Sequence, residues 1–276
     1  MPSRVPGRAH LHPGFRPSFH LPARRRWVAA IGAVTLGLAA AGCGAGGAAR
    51  TPAAASETPP TVAAHATTST QTTYTAKITI PQLTWAQDPA VATSVNSAVQ
   101  SWAKQEQTTF ASAVAKDLAA AKNLPAAVAH GNLTITYSVG LVNTKVASFK
   151  FNLDTIAPGQ ADNTQWTAGM TFNLRTGGQY TLAGLFQPGQ GYVTTLATAA
   201  GKGLAAFTPS GAHCYLGQAP TAAAGNFAAW WLTPGGLALS FPAGTYTAAY
   251  CGAPSVTVAY QTLKSLAASG SPLLGA

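Results

Sequence analysis

The chain has 276 residues, of which 8% are charged where about a quarter is usual, yet its formal net charge is +10. Six arginines (Arg4, Arg8, Arg16, Arg24, Arg25, Arg26) and no acid precede Cys43, and the remainder carries ten Lys/Arg against six Asp/Glu. Those later cations are scattered singly, which describes a solvated surface and excludes a nucleic-acid footprint. A hydrophobic content of 47% at this length excludes collagen, a coiled coil and a wholly disordered chain.

Arg24-Arg25-Arg26 is followed by an uncharged apolar run from Trp27 to Ala41, and then by Gly42-Cys43. That is the layout of a bacterial export signal over residues 1–42. The run is about 15 residues long, short of the roughly 20 that cross a bilayer as a helix. Ala40-Ala41-Gly42-Cys43 resembles a lipoprotein box, in which the cysteine is lipidated and becomes the mature N-terminus. The alternatives are ordinary cleavage after Ala-Ala-Gly and a twin-arginine signal. The expected location is the outer face of the cytoplasmic membrane, with the membrane engaged through lipid at Cys43.

Three cysteines are present. With Cys43 taken by lipid, Cys214 and Cys251 remain as a pair in a compartment where disulfides persist. A bridge between them would close a loop of about 38 residues and contribute about 4 kcal/mol on a chain-entropy argument. A metal site or a nucleophilic thiol is the alternative, but no second histidine or carboxylate stands at ligand spacing.

Residues 43–73 are almost entirely Gly, Ala, Thr, Ser and Pro, a composition expected to form a disordered tether. One domain is expected over residues 74–276. Tyr74, Ala76, Ile78 and Ile80 alternate as a strand stopped by Pro81. Asp88-Pro89 opens a helix carrying Val91, Val95, Val99 and Trp102, then Phe110, Val114 and Leu118, with Lys104 to Thr109 as an exposed or broken stretch and an end near Asn123. Strands follow at Leu133 to Leu141, Phe149 to Leu153 and Trp166 to Leu174, then a Thr176-Gly177-Gly178 turn and a short return through Tyr180 and Leu182. A second helix spans Gly191 to Ala206. Phe227 to Leu232 and Leu237 to Phe241 flank Pro234-Gly235-Gly236 as a hairpin, and Val256 to Tyr260 precedes a terminal helix. The pattern predicts a single α+β domain, a mostly antiparallel sheet packed against two or three helices.

Two stretches carry a family resemblance. Phe172-Asn173-Leu174-Arg175-Thr176-Gly177 with Leu182, Leu185-Phe186, Tyr192 and Leu196 resembles the extracytoplasmic domain found in the RsiV anti-sigma ectodomain, in polysaccharide-deacetylase accessory regions and in secreted mycobacterial immunogenic antigens. Phe227, Leu232, Pro234-Gly235, Leu237, Phe241, Tyr246, Tyr250 and Gly252, followed by Val256, Val258 and Tyr260, resemble its C-terminal part. Ile80-Pro81-Gln82-Leu83 with Val95-Asn96 resembles its first strand and helix. The resemblance implies a binding or sensing module for a wall polymer or a secreted protein such as lysozyme. It implies no cofactor. The Gly-Ala-His loop common in the family has no histidine here, between Asp154 and Gln165.

Chemistry has few candidates. A Ser-His-acid set would have to draw on His213 or His130, Ser210 or Ser240, and Asp154 or Asp162. His213 with Ser210 and Asp154 is the constellation for the alternative reading, a weak esterase-type hydrolase. Asp154 and Asp162, eight residues apart across a loop containing Pro158-Gly159, are a candidate carboxylate pair for glycoside hydrolysis, against the blander reading of loop solubility and turn formation. No phosphate loop or metal-binding spacing is present, so no metal is expected. Trp230 and Trp231, adjacent in a strand, point to opposite faces, and one of them is a candidate ligand-binding aromatic.

Overall fold

A computed structural model describes residues 57–275 apart from 122 and 212. The expected signal, Cys43 and the first part of the expected tether lie outside the described residues. The remainder of that tether is corrected by the structure. Thr61–Thr70 forms strand β1, which pairs antiparallel with β2 (Tyr74–Thr84) from Thr61↔Thr84 to Thr70↔Thr75. Nearly all of β1 is exposed, so apolar burial does not order it. The backbone ladder does, and Thr, Val and Ala are compatible with it.

β2 runs through Pro81 instead of stopping there. Its ladder with β3 (Gly131–Val142) ends at Ile78↔Ile135, so at Pro81 the strand is paired on the β1 side alone and a missing N–H is tolerated. The β2–β3 pairing is parallel, an exception to the expected antiparallel pattern. The connection that makes this possible is helix α1 (Pro89–Ala120). Asp88 caps α1 by accepting the Val91 N–H at 3.0 Å, and Pro89 occupies the first turn. The helix is unbroken at Lys104 to Thr109, because Lys, Gln and Glu are good helix formers and the buried face resumes from Ala103 to Phe110.

β4 (Val146–Ile156) and β5 (Thr164–Asn173) complete a sheet of order β1-β2-β3-β4-β5. One face of it, with Ala76, Ile78, Ile135, Phe149, Phe151, Leu153 and Phe172, packs on Val95, Val99, Phe110 and Val114 of α1. Asn96 ties helix to sheet: its Oδ1 accepts the Leu83 N–H at 2.7 Å and its Nδ2 donates to the Leu83 carbonyl at 2.9 Å. One amide thereby replaces the neighbouring strand that Leu83 lacks.

The return through Tyr180 is only an isolated bridge, Phe172↔Gln179. Helix α2 (Tyr192–Ala205) follows, then β6 (Ala229–Thr233), β7 (Gly236–Ser240), β8 (Ser255–Ala259) and the short helix α3 (Tyr260–Leu263). These three strands form a second antiparallel sheet. Leu196, Ala200 and Leu204 of α2 join Trp230, Leu232, Leu237, Leu239, Val256 and Val258 in a second core. The architecture is α+β, as the element pattern predicts.

Candidate functional site

Alternation along each strand sends one set of side chains to α1 and the other to the opposite face of the first sheet. On β4 that second set is Ser148, Lys150, Asn152 and Asp154. The registers align it into rows. Lys77, Thr134, Asp154 and Gln165 lie side by side on β2 to β5, as do Thr136, Asn152 and Thr167 on β3 to β5, and Ser138, Lys150 and Gly169. Lys77, Thr136, Asn152 and Gln165 are exposed.

Strand β6 covers only one end of this face. It can do so because two positions have no side chain: a Cβ at Gly169 would overlap the Trp230 carbonyl, and one at Gly140 would overlap the Leu232 carbonyl. Beneath the crossing, the Leu232 N–H donates to Ser148 Oγ at 2.8 Å, and Ser148 Oγ is hydrogen-bonded to Thr171 Oγ1 at 2.7 Å. Both hydroxyls are fully buried and satisfied. The Lys150 ammonium lies 5.2 Å from the Trp231 ring centroid, and partial burial lowers its pKa. The result is a ledge: a polar floor of hydroxyls and amides, with Lys77, Asp154 and Lys150 among them, that ends against β6.

The two tryptophans do point to opposite sides, Trp230 into the second core and Trp231 onto the first sheet. Each is 6% exposed, so neither offers a ring for stacking, a correction to the ligand-binding expectation. Packing two layers across β6 consumes both faces of that strand.

Among the described residues, no hydrogen bond joins one hydrolase candidate to another. Asp154 Oδ2 accepts hydrogen bonds from Asn163 Nδ2 at 2.7 Å and Gln165 Nε2 at 2.8 Å, and no described hydrogen bond joins it to His213. Asp162 is exposed in the loop before β5. Ser240 is buried and its hydroxyl donates to the Pro254 carbonyl at 3.2 Å. His130 is held by Thr75, Nε2 to Oγ1 at 2.9 Å. His213 is exposed, and the side chain of Ser210 is not among those described. Cys214 and Cys251 form the expected disulfide, with Cα atoms 6.1 Å apart. Among the described residues no three His, Cys, Asp or Glu side chains converge on a common point, and no helix is long and apolar enough to cross a membrane. A separate groove of about 440 Å³ between α2 and β8 is lined by Thr194, Thr198, Lys202, Thr257 and Thr262.

The disulfide was legible in the sequence, and Asp154, offered there as a catalytic acid, lies on the ledge bonded to Asn163 and Gln165; the ledge itself was not legible. Its signal was available: polar residues alternate with the core residues on β3 and β4, and Gly140 and Gly169 interrupt strands that otherwise have no reason to contain glycine.

The fold therefore defines a class, a two-sheet α+β domain with one sheet face left largely open. No family model matches the sequence, and no curated protein matches it. Solved structures are similar in fold. A crystal structure of a DUF3298 family member from Bacteroides fragilis is similar with a TM-score of 0.58 at 14% identity, covering 79% of this chain and 97% of that one. A DUF3298 family protein from Pseudomonas aeruginosa is similar with a TM-score of 0.52 at 14% identity, covering 76% and 94%. RsiV-like ectodomains belong to that family, whose function is unknown, so the expected resemblance holds at the level of fold.

Proposed function

We propose that this protein is a non-catalytic binding module of the bacterial cell envelope, held at the outer face of the cytoplasmic membrane by lipid on Cys43, and that its ledge recognises a hydroxyl-rich wall glycan. The observation that carries the reading is the open face of β2 to β5, where Thr134, Thr136, Asn152, Thr167 and Gln165 present neutral donors and acceptors in register. A polymer of alternating hydroxyls and amides is the ligand such a face can satisfy. A protein partner such as lysozyme would call for an apolar, aromatic centre, and both tryptophans are buried. The disulfide supports the oxidising compartment. The test is a titration of soluble wall-glycan fragments into the full chain and into Thr136→Ala/Asn152→Ala. Binding that weakens at least tenfold in the variant, with unchanged melting, supports the proposal. Binding of equal strength in both, or none, overturns it.

A further inference from the structure

Among the described residues, strand β1 forms one edge of the first sheet and is paired on its β2 side only. Natural edges of this length are normally protected by charge, proline, a bulge or a covering element. The sequence Thr61–Thr70, TVAAHATTST, contains no Lys, Arg, Asp, Glu, Pro or Gly, and its register with β2 runs without interruption. Its side chains are exposed along almost the whole strand. The other edges are treated differently. The C-terminal end of β5 is paired by the returning chain, with Tyr180 N–H donating to the Thr171 carbonyl and Asn173 N–H to the Gly178 carbonyl, both at 2.8 Å. β6 lies across the first sheet, and β8 packs beneath α2, where Gly203 meets Val256.

We propose that the β1 edge pairs antiparallel with the β1 edge of a second copy of this chain, joining two five-stranded sheets into one. Two features select a second copy over an extended peptide. Ala, Thr and Ser side chains form no pocket that could anchor a peptide and offset the entropy of ordering it. A second copy brings a strand that is already ordered. A two-fold axis normal to the sheet passes midway between a residue and its own symmetry mate, and placing it beside His65 or Ala66 overlaps all but one residue of the strand with no Lys, Arg, Asp or Glu opposed. The contact area is that of a single strand pair, so the dimer is weak and its population rises with local concentration, as on a membrane surface.

The experiment uses the full chain, exported in bacterial cells, with single added cysteines at His65 or at Ala66, whose symmetry mates would have Cβ atoms roughly 5 Å apart. Mild oxidation of intact cells should give a covalent dimer at one of these positions. Ala64→Lys/Ala66→Lys, added to H65C, and Ala64→Lys/Thr68→Lys, added to A66C, should lower the yield at least fivefold, and circular dichroism should show the strand content unchanged. A control cysteine at exposed Thr221 should give little dimer. The proposal is overturned if neither position crosslinks while both react with a monofunctional thiol reagent, if Thr221→Cys crosslinks as well, or if the lysines leave the yield unchanged.

Discussion

Gly169 carries no side chain because the Trp230 carbonyl occupies the space a Cβ would take. Gly169→Ala must therefore push β6 off the first sheet, at a cost of about 1–3 kcal/mol or more, as in overpacked cores. Gly225→Ala, where a Cβ would meet nothing within 4 Å, is the control and should change urea unfolding by less than half of that. Tyr260 offers a pH test. Its hydroxyl donates to the Thr233 carbonyl at 2.6 Å, and burial pushes its pKa up to about 12 from an ordinary value of 10.0. A raised folded-state pKa means that this stabilisation is complete below pH 10 and is lost as pH rises through the folded value. Tyr260→Phe should thus cost about 1 kcal/mol at neutral pH, the usual net worth of a hydrogen bond. The gap between the two proteins should close as unfolding is followed from pH 10 to 12.

Among elements, α1 is held to the sheet at a point that neither propensity nor periodicity reveals. Asn96→Ala leaves both backbone groups of Leu83 without their partner. The expected loss is about 2 kcal/mol, and hydrogen exchange should rise first at Leu83 and its neighbours. The cap at Asp88, the α1 face and the strands β3, β4 and β5 were all legible in sequence, because each follows from local alternation or from a capping residue. β1 was not. Its Ala and Thr residues bury little, and only the ladder from Thr61↔Thr84 to Thr70↔Thr75, a relation between segments, makes it a strand. The parallel β2–β3 pairing is hidden for the same reason, since it depends on where a 32-residue helix returns the chain. Trp230 and Trp231 show the complementary limit: alternation fixed their opposite directions but could not reveal that both sides of β6 are covered.

At the scale of the whole molecule, β6 belongs to the second core and lies across the face of the first sheet that points away from α1, and the disulfide ties the segment after α2 to the one before β8. Cys214→Ser/Cys251→Ser should lower stability by about 4 kcal/mol, read from denaturant unfolding against the oxidised protein. If Cys43 carries the anchor, Cys43→Ala moves the protein from the membrane fraction to the soluble one; unchanged membrane retention rejects the lipid. The ledge is the claim on which function turns. It is most directly tested by following backbone amide resonances while soluble wall-glycan fragments are added. The shifts expected are confined to Thr134, Thr136, Asn152, Gln165 and Thr167. Shifts centred on His213 or on the groove between α2 and β8, or no shifts at all, would contradict it.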